Sequence, residues 1–342
     1  MKRVVWIISE GSPGHVSQSE GLVAALAERI DLEKHVIETR PRIGGFMRTL
    51  VRLWMGPNGR GLSDRFLRKR LGCDFPKTKP DLVVTSGGKA VFAARGLAVR
   101  FGVPLVFLGE RKPYPSGWFH TVFTPSPFET GANDVAIEMI PTGITPEKVS
   151  AAAAAWSDRP EGDLWAMILG GASASHHYTD EDWQLLGGEM NSLAETQDIR
   201  WLVSTSRRTG PRAEEILRRF LVPKHIASAV WWAEKPEKKM AAFLGSASWV
   251  FVTQDSVTMV TEAVASGRPV VVTMPAGTDL KPTSFLLGYF ERLEKLRRIV
   301  RIPIDLVGDL QPASADLQPR SMPINSELAT TLLTRLDWHE QR

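Results

Sequence analysis

The feature that most restricts the fold of this chain is an alternation. Short, β-branched-rich apolar runs are separated by longer amphipathic stretches from end to end. A strand that reads as an unbroken apolar run must be covered on both faces. That is the condition of a parallel sheet with helices on either side, joined by βαβ crossovers. The first series is VVWIIS (4–9), KHVIE (34–38), DLVVTS (81–86), PLVFLG (104–109), TVFTP (121–125) and a short run at 135–140, with helical patterns at 15–29, 46–55, 63–71 and 88–100. A second series follows: DLWAMILG (163–170), IRWLVSTS (199–206), AVWWA (229–233), WVFVTQ (249–254), PVVVTM (269–274) and RIVRI (298–302). Its helical patterns fall at 180–196, 211–219, 236–244, 256–266 and 282–296.

Two such series in 342 residues predict two domains, 1–148 and 163–322. The proline-flanked, alanine-rich stretch at 149–162 reads as a linker between them. A terminal helix is expected within 323–342, starting near Asn325 or Ser326 and able to pack back on the first domain. The expected fold class is α/β, two facing Rossmann-like domains whose strand ends meet at an interdomain cleft. A 43% hydrophobic, 23% charged composition without biased tracts excludes a disordered or fibrous chain. The single cysteine, Cys73, excludes an internal disulfide and a cysteine-rich zinc site, and fits a reducing, cytoplasmic compartment. No stretch approaches the roughly 20 apolar residues of a membrane-spanning helix. The net charge of +4 is locally concentrated: Arg42, Arg48, Arg52, Arg60, Arg65, Arg68, Lys69 and Arg70 face the single acid Asp64.

Candidate site residues gather where strands give way to helices. In SEGSPGHVSQ (9–18), helix-start N–H groups can hold an anion, and His15 can act as general base on an acceptor hydroxyl. Equally, Gly11 and Gly14 can simply make the turn, with His15 and Gln18 satisfying nearby backbone. TSGGKA (85–90) repeats the pattern, with Ser86 and Lys89 as candidates and Lys89 able to reach a phosphate or carboxylate. Glu110 and Arg111, in the loop GERKPYPSGWFH, are either substrate contacts or a solvated pair. The second series opens with LGGASASHHY, where Gly170, Gly171 and Ser173 let a phosphate approach the backbone. The adjacent His176 and His177 make a poor metal pair, and no metal site is expected. In STSRRTGP, Ser206, Arg207, Arg208 and Thr209 offer dense donors for a diphosphate, or a solvated basic loop. The segment VFVTQDSVTMVTEAVASGRPVVV carries Gln254, Asp255, Ser256, Met259 and Glu262. Asp255 or Ser256 is the helix N-cap, and Glu262 is placed to accept hydrogen bonds from vicinal hydroxyls such as those of ribose.

On GSPGHVSQSEGL, the SRRT of STSRRTGP and above all TQDSVTMVTEAVASGRPVVV, the chain resembles the elongated-mitochondria (mitochondrial fission Elm-type) family. That family is similar to the GT-B glycosyltransferase superfamily. The resemblance implies that Gly170, Gly171 and Ser173, with Ser206 and Arg207, hold the diphosphate of a nucleotide sugar. Arg208, Thr209, Gln254, Asp255, Ser256 and Met259 would complete that end, with Glu262 on the ribose. Gly14, His15, Gln18, Ser86, Lys89 and Glu110 would form the acceptor side. TSGGKA lacks an arginine found in many relatives after the glycine, and the acceptor-side loop diverges.

The implied activity is transfer of a sugar to a cell-envelope glycolipid or polysaccharide precursor, without metal or other cofactor, at the inner face of the membrane. The contrasting reading, suggested by plant members that recruit fission machinery, is a noncatalytic scaffold for a membrane-associated partner. In FMRTLVRLW, Phe46, Leu50, Leu53 and Trp54 share a helical stripe flanked by Arg48 and Arg52. It suits either an interfacial helix on anionic lipid or a helix packed into the domain with a solvated basic face. No nucleic-acid reading motif accompanies the basic stretch.

Overall fold

The computed structural model describes residues 2–125, 131–281 and 285–339. Residues 282–284, at the start of the helix expected at 282–296, lie outside them, as does the end of the terminal segment. The chain divides into two compact units, 1–143 with 324–342, and 144–323.

The first unit runs β1 (Arg3–Ser9), α1 (Pro13–Ala27), β2 (Leu32–Glu38), α2 (Gly45–Met55), α3 (Asp64–Leu71), β3 (Leu82–Ser86), α4 (Val91–Phe101), β4 (Leu105–Leu108), β5 (Thr121–Thr124) and β6 (Asp134–Ala136). All neighbouring strands pair in parallel, in the order β2-β1-β3-β4-β5-β6. The central strands are covered on both faces: Val5 to Ile8 and Leu82 to Val84 are solvent-free. This is why they read as continuous apolar runs. On one side, Trp6, Ile8, Val83 and Phe107 pack with Met55, Leu67, Phe92 and Trp118.

The second unit runs α5 (Pro146–Ala154), β7 (Leu164–Ile168), β8 (His176–His177), α6 (Asp180–Gln197), β9 (Arg200–Ser204), α7 (Gly210–Phe220), β10 (Ile226–Val230), α8 (Met240–Ser246), β11 (Trp249–Thr253), α9 (Val257–Ala265), β12 (Val270–Met274), β13 (Gly277–Thr278), α10 (Phe285–Lys295) and β14 (Val300–Pro303). Its six-stranded parallel sheet has the order β10-β9-β7-β11-β12-β14, and β8 and β13 form a separate antiparallel pair. Trp165, Trp201 and Phe251 meet across three adjacent strands, with Phe251 stacked on Trp165 at 5.7 Å. The last helix, α11 (Ile324–Leu336), belongs to the first unit and packs on α1. Asn325 Nδ2 donates to the Thr142 carbonyl at 2.5 Å and Arg29 Nη1 to Thr330 Oγ1 at 2.6 Å.

Three expectations need correction. The stretch 149–162 is not a linker throughout: it begins inside α5. Thr145 caps this helix by accepting from Lys148 N, and Pro146 occupies its first turn, where a missing N–H costs nothing. The strand expected at 229–233 is β10, three residues earlier, because the chain turns at Trp231, whose carbonyl accepts from Lys235 N at 2.9 Å. The helix expected at 236–244 accordingly starts later, as α8 at Met240.

The α5–α8 contact depends on the absence of a side chain at Gly245, where a Cβ would lie 1.9 Å from the Val149 carbonyl oxygen. Gly245→Ala should lower the unfolding free energy by about 1–3 kcal/mol through overpacking. Gly188→Ala, on the exposed side of α6 with nothing within 4 Å, should raise it by about 0.5–1 kcal/mol. Urea denaturation of both variants reads the opposite signs, and a neutral Gly245→Ala would disprove the close-packing argument.

Candidate functional site

In each sheet the chain grows outward one way and then returns to grow the other way. The order reverses between β1 and β3 in the first unit and between β7 and β11 in the second. At such a reversal the loops leaving two adjacent strands part in opposite directions and open a crevice at the carboxyl ends. Most of the candidate residues lie at these two points.

In the first unit the loop after β1 carries Glu10 and enters α1 at Ser12, whose side chain does not cap the helix. His15 Nδ1 lies 2.8 Å from Glu10 Oε1. In the neutral tautomer that donates its Nδ1–H to this carboxylate, the imidazole keeps its Nε2 lone pair as acceptor; protonated, it faces the carboxylate as a cation. Glu10 Oε2 also accepts from Ala90 N at 3.0 Å. Burial pushes the Glu10 carboxyl upward, but the His15 hydrogen bond and charge, the Ala90 N–H and the Lys89 charge outweigh it and hold the carboxyl below its ordinary value. The pair needs glycine opposite: Gly87 sits at φ +80°, and a Cβ there would fall 2.2 Å from His15 Nδ1.

The other acceptor-side candidates divide. Ser86 is buried and latches α1, donating to the His15 carbonyl at 2.5 Å and meeting Ser19 Oγ at 3.1 Å. Gly14 lies in the first turn of α1 beside His15, and Gln18 is buried. The helix expected from residue 88 begins at Val91, since the left-handed Gly87 forces a turn first, and this leaves Lys89 exposed in the loop. Glu110 is exposed, while Arg111 turns away from it to a buried fork on Asp134, at 2.9 and 3.0 Å.

In the second unit GGAS and SRRT are brought together. Gly170 N donates to Thr253 Oγ1 at 2.7 Å across the reversal. Ser206 Oγ donates to the Gly170 carbonyl at 3.1 Å, and Thr209 Oγ1 bonds the Leu169 and Gly170 carbonyls. A Cβ on Gly171 would lie 2.1 Å from the Arg208 carbonyl oxygen, so the two loops pack backbone to backbone. The hydroxyls of Ser206 and Thr209 thus build the loop, as does Ser173, whose Oγ lies 3.2 Å from Nδ1 of the buried His176.

The two arginines have separate situations. Arg208 Nη2 lies 2.6 Å from Oδ2 of the fully buried Asp255 side chain, which also accepts from Tyr178 OH at 3.2 Å. Arg207 is exposed and has no ion-pair partner among the described residues. Of the two cap candidates, Ser256 takes the role by accepting from Met259 N at 3.4 Å, and Met259 is half-buried on the first turn of α9. Gln254 is fully buried with both amide atoms unpaired among the described residues. Glu262, farther along α9, is partly buried, and desolvation pushes its carboxyl up to about 7. Among the described residues there is no cluster of three metal-ligating side chains.

Glu10, Tyr178 and Thr253 were not among the expected site residues. Glu10 and Thr253 stand where β1 and β11 run out, and that position was their signal; Tyr178 directly follows the paired histidines.

Two Rossmann-like units, each a six-stranded parallel sheet with its reversal point dressed by glycine-rich loops, define the GT-B class of fold. The chain belongs to the mitochondrial fission ELM1 family, whose model matches residues 13–303. It is 25% identical over 148 residues to uncharacterized protein RP120 of Rickettsia prowazekii, and that match covers 42% of this chain and 40% of that protein's length. Among solved structures it is similar to the UDP-GlcNAc 2-epimerase of Methanocaldococcus jannaschii, with TM-score 0.56 and 12% identity over 98% of this chain and 100% of that one. It is also similar to Arabidopsis thaliana UGT89C1 complexed with UDP, with TM-score 0.53 and 12% identity over 98% of each chain.

Two stability outcomes follow. Arg208→Ala strands the buried Asp255 charge and should cost about 2–4 kcal/mol, whereas Arg207→Ala should stay within about 0.5 kcal/mol of wild type in the same denaturant titration. Glu262 holds its proton in the folded state up to about pH 7, against about 4.5 unfolded, so its stabilising share is complete at low pH and lost as pH rises through that window. Glu262→Gln should therefore match wild type near pH 4 and exceed it by up to about 3 kcal/mol at pH 8. Parallel stability curves across that range would refute the desolvated carboxylate.

Proposed function

We propose that the second unit binds a nucleoside-diphosphate sugar and that the protein transfers the sugar to a cell-envelope glycolipid or polysaccharide precursor. The observation that carries the reading is the state of Arg207 and Glu262. Ser206, Thr209 and Arg208 of the SRRT loop are engaged within the protein, whereas the Arg207 cation and, on α9, the Glu262 carboxyl are left without protein partners among the described residues. One suits a diphosphate and the other a ribose diol. The solved structures of like fold that hold UDP or UDP-GlcNAc support this assignment by class of ligand.

In this reading Gly170 and Gly171 let the diphosphate approach the backbone, while Ser206, Thr209 and Ser173 keep that backbone in place. Arg207, with the uncapped start of α7, supplies positive charge for the departing diphosphate. His15, oriented by Glu10, takes the proton of the acceptor hydroxyl. The hydroxyl oxygen then bonds to the anomeric carbon as the bond to the diphosphate breaks. Charge balances without a further cofactor, since the nucleoside diphosphate leaves as the anion. The acceptor lies at the inner face of a membrane.

Thermal melting with uridine, guanosine and cytidine diphosphates tests the donor site. At least one should stabilise the protein by about 2–3 kcal/mol at a hundredfold excess over its dissociation constant. The gain should vanish in Arg207→Ala and Glu262→Ala. No response to any of the three would turn the reading to a noncatalytic scaffold. With a donor in hand, His15→Ala should lose turnover while keeping donor affinity, and unchanged turnover rejects the base.

A further inference from the structure

We propose that the α2–α3 surface of the first unit is a docking site for an anionic phospholipid membrane, with an acyl-chain pocket beside a phosphate-binding groove. α2 is apolar over far more of its circumference than the fold uses. It buries Val51 and Met55, yet Phe46, Leu53 and Trp54 are 79%, 68% and 53% exposed, and Leu50 and Met47 are exposed with them. At about 100° per residue Phe46, Leu50, Leu53 and Trp54 fall on one stripe next to the buried one. Isolated exposed apolar residues are ordinary, but a contiguous stripe of this kind marks an interaction surface.

The charge beside it selects the occupant. An apolar pocket of about 350 Å³ opens between α2 and α3, lined by Leu50, Val51, Trp54, Leu62, Ser63 and Phe66. It adjoins a groove of about 650 Å³ that shares Ser63 and Phe66 and is otherwise lined by Arg42, Arg65, Arg68, Lys69, Arg70 and Gly72. Arg68 is tied to Asp74, and the acid Asp64 is taken by Arg100. Arg42, Arg65, Lys69 and Arg70 have no ion-pair partner among the described residues and point their charge to solvent. A protein partner would have to match an apolar ridge and a dense cationic groove side by side. A bilayer with anionic headgroups presents both chemistries at that spacing by its nature, with acyl chains below the phosphates. Membrane docking is independent of nucleotide-sugar binding, and its assay contains no nucleotide, so either property can fail alone.

Co-sedimentation of the full chain with phosphatidylcholine vesicles, with and without phosphatidylglycerol, tests it. Wild type should partition onto the mixed vesicles and stay in solution with phosphatidylcholine alone, and added salt should weaken the binding. Arg65→Glu and Lys69→Glu should each weaken it about fivefold or more. Leu53→Ser with Trp54→Ser should weaken it roughly tenfold with an unchanged melting temperature, because both side chains are already exposed. Wild type that ignores phosphatidylglycerol, or binding that responds to the charge reversals but not to Leu53→Ser with Trp54→Ser, overturns the two-part site.

Discussion

A parallel strand covered on both faces has no place for a polar side chain except at its ends. That constraint shapes both units. Val5 to Ile8 and Val250 to Val252 are solvent-free, so the first polar groups the chain can offer are the residues at and just past the carboxyl ends: Ser9 and Glu10 after β1, Thr253 to Asp255 after β11. Where the strand order reverses, two such ends lie side by side and their loops diverge. The Gly170 N–H bonded to Thr253 Oγ1 fixes the spacing of the second pair. The close approaches then follow from it: a side chain on Gly170 would strike Asp255, and one on Gly171 would strike the backbone of the SRRT loop.

Much of this architecture was legible in the sequence because burial on both faces writes itself as an unbroken apolar run. Each of the twelve main-sheet strands overlaps a run read from the sequence. The failures were of a different kind. Pro146, one of the prolines flanking the alanine-rich stretch, reads as punctuation, but after the cap residue Thr145 it is a helix start. The β8–β13 pair, two residues on each side, is too short to leave a periodicity.

The site was legible at the level of loops and not at the level of side-chain roles. Sequence marks SRRT as a dense donor set, but adjacent arginines on a loop are alike until a buried acid chooses between them, and Asp255 chooses Arg208. Asp255 and Ser256 are equally good caps on paper, and the same ion pair leaves Ser256 the cap. Ser86 and Ser206 look like ligand donors, yet one latches α1 and the other braces Gly170. The role of Glu10 is not written in its local sequence, because it needs the loop after β3, nearly eighty residues on, to bring Ala90 and Gly87 against it.

The residues that remain unsatisfied are therefore informative. A folded unit pairs nearly all its buried polar atoms, since each one left over costs about 1–3 kcal/mol. In the second unit the unpaired buried atoms among the described residues include both amide atoms of Gln254, His176 Nε2 and Thr273 Oγ1, and the Glu262 carboxyl is held far above its ordinary value nearby in sequence. Gln254 and Thr273 sit on or just beyond neighbouring strands, joined by the Gln254 N–H to the Thr273 carbonyl at 3.0 Å. Unpaired atoms of Trp156, Trp165, Ser246 and Arg301 lie elsewhere in the unit, so it is position and not a missing partner alone that counts. Gln254 and Thr273 stand at the carboxyl ends of adjacent parallel strands, one of them at the reversal of strand order, which is where folds of this class take a ligand.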